Sequence, residues 1–457
     1  MDWEIFWEKF KKHPLGYISL WVIALFCLAG IYAPFLASSK PFFVYYDGTW
    51  YFPLFRYLFF QGFFTKRIDI FFNLLMFILP LVYIFRKSKQ ALIALCFLQL
   101  ALFTYLMLYP ISDPSSDTQL TEQKQKALQT NPKETWDFDL QYMSPYARLN
   151  LLLRQKVLQK QDASLRRWTG QEQLQTLWQQ QTQFEKNTSD GAFIVAKRAW
   201  IDRELPKVKY ALFPFFSHFH WEDDAGGDSA LNQKIPWWKL TRINHKDLFA
   251  ALIFGMRISL VVGLVAVAIA LAIGIPVGAY AGYYGGTFDI LVSRLLEIWE
   301  SMPTFFMLLL IVAVTQSKSI FIVILIIGLF GWTGFSRYVR GEFFKQRNLP
   351  YVEACHSLGF KDNFIMFSHI LPNAIPPLLT LLPFAIMGAI TSEAGLSFLG
   401  LGEEGSGSWG VLMDEGRTAF PAQSYLLWPP AIALTTLLIA IALVGDALRD
   451  TLDPRSN

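Results

Sequence analysis

Residues 350–372 read PYVEACHSLGFKDNFIMFSHILP, a polar interruption from Pro350 to Pro372 between two long apolar segments. The stretch has the grammar of a short docking helix. Pro350 stands where a first-turn proline is tolerated, Glu353 lies near the positive end of the helix dipole, and Gly359 supplies a C-terminal stop. It is too short for a domain and too patterned for a plain linker. It reads as a surface on which something outside the membrane pushes.

Composition sets the class of the rest. Hydrophobic residues make up 53% of the 457, aromatic residues 16% and charged residues only 17%, and several apolar runs approach bilayer length, so the chain reads as a polytopic all-α membrane protein. A net charge of +4 says little, because the placement of Lys and Arg decides topology. The three cysteines are Cys27 and Cys96 in apolar runs and Cys355 in the polar stretch, which gives neither a disulfide framework nor a metal cluster.

Residues 1–40 hold a leader with Lys9, Lys11 and Lys12 and an apolar run from Leu15 to Ala37. That run exceeds a usual signal-peptide core and its leader carries acids, so it reads as an uncleaved first span with a cytoplasmic start. Residues 41–69 are aromatic and carry Asp47, Arg56 and Gln61, an external interfacial segment. Within 70–110, the runs Ile70 to Phe85 and Ala91 to Tyr109 flank the basic turn Arg86, Lys87, Ser88 and Lys89, which makes a transmembrane hairpin turning on the cytoplasmic side. Residues 111–245 are polar and Gln-rich, and helical spacing of Leu151, Leu152, Leu158, Leu165, Trp168, Leu174, Leu177 and Trp178 points to amphipathic helices in an external, periplasmic domain. His218, His220, Asp223 and Asp224 stand close in SHFHWEDD, but two histidines without a scaffold read as a solvated loop, not a metal site.

Residues 246–450 form the membrane core, followed by a cytoplasmic tail, 451–457. Arg257 precedes the run Ile258 to Tyr284, where Gly274, Gly278 and Gly282 recur every fourth residue, a small-residue face for close helix packing. Spans follow at Met302 to Thr315, Ile320 to Phe335, Phe364 to Ile390 and Leu426 to Val444. Eight spans in all leave both termini cytoplasmic and put residues 337–363, with Arg337, Arg340, Lys345 and Arg347, on the inside, where basic loops belong. None of these spans carries Asp, Glu, Lys or Arg in its middle, with Glu393 just beyond an outer end, which speaks against an ion-coupled carrier. There is no G-x-x-x-x-G-K-[ST] loop for nucleotide either. The energy has to come from elsewhere.

The spacing Glu353-Ala354-Cys355, three residues, Gly359, then Leu371-Pro372 twelve positions on resembles the EAA loop of permease subunits of binding-protein-dependent ABC importers. Cys355 replaces the usual third alanine, and His369 stands at a usually aliphatic position. GMRISLVVGLVAVAIALAIGIPVGAYAGYYGG, SEAGLSFLGLGEEGSGSWGVLMDEGR and GDALRDTLDPR resemble the C-type permease of dipeptide and oligopeptide importers from Asp247 to Arg455. A family element ahead of this core is degraded, keeping only Thr241 and Asp247, with Lys246 at a changed position. KPFFVYYDGTWYFPLF resembles an outer segment of peptide permeases of the microcin C uptake type. The hairpin and the Gln-rich domain read as an insertion.

The resemblance implies a type I ABC importer permease core of five spans plus the N-terminal span, in a bacterial inner membrane. It implies a heterodimer with a second permease, two ABC ATPase subunits that bind ATP and Mg, an external substrate-binding protein and a peptide cargo, with no cofactor, catalytic residue or nucleic acid on this chain. Tyr351, Glu353, Ala354, Cys355 and Gly359, with Leu371 and Pro372 behind them, would couple the subunit to the ATPase. Trp299, Phe305, Trp332 and Trp409 are candidates to line the substrate pathway, although packing or interface anchoring competes as a role for each. Nickel permeases share the same core, so a chelated metal is an alternative cargo, and a membrane scaffold acting through its external domain is an alternative of another class.

Overall fold

The computed structural model describes residues 3–61, 65–114, 117–130, 135–153, 155–156, 191–216, 248–403, 406–418 and 427–452. The chain divides into two compact units, one of Met1–Leu28, Gly255–Thr418 and Leu427–Asn457, the other of Ala29–Phe254 with Ala419–Leu426. The SHFHWEDD residues, the Thr241 to Asp247 element, most of the Gln-rich leucine pattern and the tail from 453 lie outside the described residues.

A short helix α1 (Trp3–Lys11) leads into the first apolar helix, α2 (Pro14–Ile31). The run expected to continue to Ala37 instead breaks at Tyr32 (φ −91°, ψ 17°) and resumes as the single turn α3 (Ala33–Leu36) with Pro34 in its first turn. A proline has no N–H to give to the preceding turn, so it starts a helix more readily than it continues one.

The segment from residue 41 holds a structure that the all-helical reading lacks. β1 (Phe43–Tyr46) pairs antiparallel with β2 (Thr49–Tyr51), closing Tyr46 on Thr49 around Asp47 (φ 49°) and Gly48 (φ 81°). Two central residues with positive φ suit the twist of a two-residue hairpin, and Asp-Gly is the dipeptide that adopts them most readily. After the turn α4 (Pro53–Tyr57), the apolar hairpin is α5 (Arg67–Ile84) and α6 (Lys89–Leu108). The N-terminus of α5 is closed by Asp69 Oδ2, which accepts from the Lys66 backbone N–H at 2.9 Å. Ser88 Oγ caps α6 by accepting from Ala91 N–H at 3.3 Å.

The polar region contributes α7 (Thr118–Thr130), α8 (Trp136–Gln141), α9 (residues 145–153), α10 (Gly191–Glu204) and β3 (Lys209–Leu212). β3 pairs antiparallel with β1, so the sheet order is β2-β1-β3. The alternation of β1 sends Val44 and Tyr46 into a core with Trp136, Tyr146, Leu149, Leu152, Leu153 and Trp200, and leaves Phe43 and Tyr45 on the other face. Segments 41–69 and 111–245, read apart in the sequence, therefore share one core. The strands are too short for their pairing to be legible without that core.

In the other unit α11 (Leu248–Tyr284) is followed by α12 (Gly286–Glu300) and α13 (Thr304–Thr315), which are bent 70° to each other. The turn carries Pro303, and the residue before a proline is biased away from the helical region. Twelve residues of helix reach only about 18 Å, short of a bilayer core of about 30 Å, so the expected span Met302 to Thr315 is one arm of a bent pair. α14 (Ile320–Gln346), α15 (Pro350–Ser357) and α16 (Leu371–Leu379) follow, with a π-helical turn at Ile365–Ile370. Pro372, Pro376 and Pro377 remove three backbone donors here, and the expected span Phe364 to Ile390 breaks before α17 (Leu382–Leu396). The long apolar helix is shifted to Leu382–Leu401. α18 (Trp409–Thr418) and α19 (Trp428–Leu452) end the fold. Seven helices are long and apolar enough to cross a membrane among the described residues, or eight with the bent pair as one span.

Candidate functional site

The Pro350 stretch folds as the helix its residues encode. Leu349 is extended (φ −80°, ψ 148°) and Pro350 opens the first turn of α15. At the other end Gly359 takes φ +77°, its N–H donates to His356 O at 2.9 Å, and the Phe360 N–H reaches back to Cys355 O at 3.2 Å. This paired bonding is a Schellman cap, and it needs a left-handed residue where glycine stands. Val352 and Cys355, one turn apart, are buried, whereas Glu353, Ala354, His356 and Ser357 are exposed. Cys355 at a usually alanine position therefore acts as a small apolar residue on the packed face. Tyr351 donates its hydroxyl to Gln346 Oε1 at 2.8 Å, tying α15 to the end of α14. Leu371 and Pro372 open α16, a helix away from the exposed face of α15.

Polar contacts bind the neighbouring helix ends together. Tyr283 of α11 donates to Asp362 Oδ1 at 2.9 Å and meets His356 Nε2 at 3.1 Å, and Tyr280 donates to Asn363 Oδ1 at 3.2 Å. Arg347 Nη1 donates to the carbonyls of Gly282 (3.3 Å) and Tyr283 (3.2 Å), acceptors a helix C-terminus leaves open. Arg340 grips Asp289 of α12 with two nitrogens, the Nη2 to Oδ2 distance being 2.9 Å.

The three glycines of α11 face the backbone of α14. A Cβ on Gly274, Gly278 or Gly282 would stand 2.6, 2.4 or 2.6 Å from the carbonyl oxygen of Trp332, Ser336 or Arg340, so three successive turns of one helix meet three of the other. A different face of α14 opens on a cavity of about 590 Å³ lined by Gly331, Gly334, Tyr338, Gly341, Leu381 and Ala385, among others. None of Trp299, Phe305, Trp332 and Trp409 lines it. Trp332 is 6% exposed and packs with Trp299 (ring centroids 6.1 Å), and Trp409 is 1% exposed with its ring edge-on to Phe26 at 6.0 Å. Phe305 is half-exposed and touches the Gly395 position. The sequence signal for the cavity was present in a second small-residue stripe, Gly331, Gly334 and Gly341, interrupted by Tyr338 at helical spacing.

Buried ionisable groups overturn the expectation that the spans lack them. Arg257 lies inside α11, not ahead of a span, and is fully buried. Glu393 lies inside the apolar helix Leu382–Leu401 and is 2% exposed, its Oε1 accepting from Ser397 Oγ and Ser408 Oγ at 2.7 Å each. The span boundaries, displaced by the prolines, had hidden both. The charge argument against ion coupling consequently carries no weight. Glu393→Ala, which strands two buried hydroxyls, is expected to destabilise by about 1.5–3 kcal/mol in a thermal-shift assay in detergent. Glu393→Gln retains an acceptor oxygen and is expected to stay closer to the parent protein; equal loss in both variants would show that the hydrogen bonds do not hold this loop.

A bundle of seven or eight candidate spans that presents a capped polar helix between them has the build of a transport permease subunit. Residues 274–457 match the family of binding-protein-dependent transport system inner membrane components, and residues 2–53 match the N-terminal TM domain of oligopeptide transport permease C. The peptidoglycan transport system permease protein YejE of Agrobacterium fabrum is 40% identical over 222 residues, 48% of this chain and 57% of that one. The inner membrane ABC transporter permease protein YejE of Escherichia coli is 36% identical over 48% of this chain and 63% of its own. The oligopeptide transport system permease protein OppC of Haemophilus influenzae is 37% identical over 53% of this chain and 78% of its own. The chain belongs to the family of binding-protein-dependent transport system inner membrane components. It spans less than two thirds of the length of the two YejE relatives.

Proposed function

We propose that this chain is the membrane-spanning permease subunit of an ATP-driven importer for peptides, forming half of the pathway with a second permease. Two ABC ATPase subunits hold the ATP and Mg, an external binding protein delivers the cargo, and both termini lie in the cytoplasm. The observation that carries this reading is α15, a helix whose Schellman cap fixes its direction while Glu353 and Ala354 face outward, in a chain of this family. The names of the relatives, which specify oligopeptide and peptidoglycan transport, support a peptide cargo. A rigid helix seated in a cleft of the ATPase would pass its closure to the spans as a rigid-body motion. The protein itself would perform no bond chemistry.

Reconstitution of the complete complex in proteoliposomes tests this. ATP hydrolysis and uptake are expected to rise together when the binding protein is supplied with tri- to pentapeptides. Stimulation by nickel chelates and not by any peptide would replace the cargo assignment, and hydrolysis indifferent to every ligand would remove the importer reading.

A further inference from the structure

We propose that Tyr283 is the positioning residue that makes α15 and α11 move as one body, with Asp362 and His356 as its partners. The proposal rests on the reading of α15 as the coupling helix. It concerns which span receives the push.

α15 is followed at once by the Gly359 turn, so the covalent chain beyond it leads first to the Asp362–Phe364 turn and the π-helical turn, neither of which is a stiff rod. A lateral bond to a long helix would bypass that soft path. Tyr283 supplies one. Its hydroxyl donates to Asp362 Oδ1 at 2.9 Å and contacts His356 Nε2 at 3.1 Å, so a single oxygen joins the last turn of α15, the turn that follows Gly359 and the end of α11. A tyrosine hydroxyl has one hydrogen; with that hydrogen given to the carboxylate, His356 Nε2 carries the proton and donates to the tyrosine oxygen. The Tyr283 and His356 rings also lie nearly parallel, 25° apart with centroids at 6.2 Å.

The neighbouring contacts have the same direction. Tyr284 reaches Asp362 Oδ2 at 3.4 Å, Tyr280 reaches Asn363, and the Tyr280 ring stands edge-on to Phe367 at 6.0 Å. On the opposite side Arg347 holds the Gly282 and Tyr283 carbonyls, fixing the same turn of α11 to the end of α14. Because the glycine face of α11 already lies against α14, a displacement of α15 delivered at Tyr283 enters the tightest helix pair of the unit and not its loose ends.

The test uses the complete complex in nanodiscs, in a background of Cys27→Ser, Cys96→Ser and Cys355→Ala, with spin labels on Leu264→Cys and Leu358→Cys, both exposed positions. The label-to-label distance is measured without nucleotide and after trapping with ATP and vanadate. With Tyr283 intact it is expected to stay constant to within about 2 Å, the scale of an ordinary helix shift. In Tyr283→Phe, which keeps the ring and removes only the hydroxyl, and in Tyr283→Phe with Asp362→Asn, the trapped distance is expected to shift or broaden beyond that. A distance that changes with nucleotide in the labelled parent overturns the proposal, and so does a constant one in both variants. Gly359→Trp separates this from the coupling reading: uptake that survives Gly359→Trp removes that reading, whereas uptake lost there together with a moving parent distance removes only the Tyr283 linkage.

Discussion

Gly278→Leu is expected to abolish accumulation of folded protein in the membrane, or to lower its melting temperature in detergent by more than Glu393→Ala does. The Cβ that the substitution adds would fall 2.4 Å from Ser336 O and 3.1 Å from Arg340 N, and both obstacles are backbone. A side chain can rotate away; a helix backbone has to move bodily. Separating α11 from α14 would also loosen the contacts at Gly274 and Gly282, since those turns share the interface. Overpacking typically destabilises by about 1–3 kcal/mol, and backbone obstruction across three turns is expected to reach or exceed the upper end. Gly334→Leu is the control. A Cβ there meets nothing within 4 Å, so stability is expected to stay within about 0.5 kcal/mol or to rise slightly from improved helix propensity. Equal behaviour of the two variants would refute the close-packed reading of the α11 and α14 pair.

Gly359→Val is expected to leave the protein in the membrane and to reduce uptake at least tenfold. No atom lies within 4 Å of a Cβ at Gly359, so the effect is conformational and not steric. At φ +77° a residue with a Cβ is strained by about 1–2 kcal/mol, more when β-branched, and the strain is relieved by unwinding the cap that sets the direction of α15. Gly359→Asn, which visits this region more readily, is expected to retain most of the uptake. Glu353→Lys probes the same helix differently. Reversing a charge in the first turn changes helix stability by only about 0.3–1 kcal/mol, so a large loss of uptake would locate the effect at the surface that α15 presents to its partner. Normal uptake in both Gly359→Val and Glu353→Lys would mean that α15 does not couple this subunit to an ATPase.

Much of the site was legible because its signals are local. Pro350 and Gly359 delimit a helix whose ends are chosen by backbone preference alone, and the four-residue glycine period of α11 is a one-dimensional pattern with one three-dimensional meaning. The Asp47-Gly48 hairpin was equally local, yet its aromatic setting favoured an interfacial reading until β3 supplied the third strand. The bent α12 and α13 pair and the break before α17 sit at prolines that a hydropathy average passes over, which is why Glu393 appeared to lie beyond a span.

The amino-acid sequence by itself determined the membrane class, the order of apolar helices, the capped helix α15 and the glycine face of α11, because each follows from residues a few positions apart. Only the tertiary structure decided that Tyr283 meets His356 and Asp362, that Trp332 and Trp409 serve packing while the Gly331, Gly334 and Gly341 stripe opens a cavity, and that Glu393 is buried between two serines. These pairings join residues from separate elements. Helical periodicity says which residues share a face; it does not say which helix that face will meet.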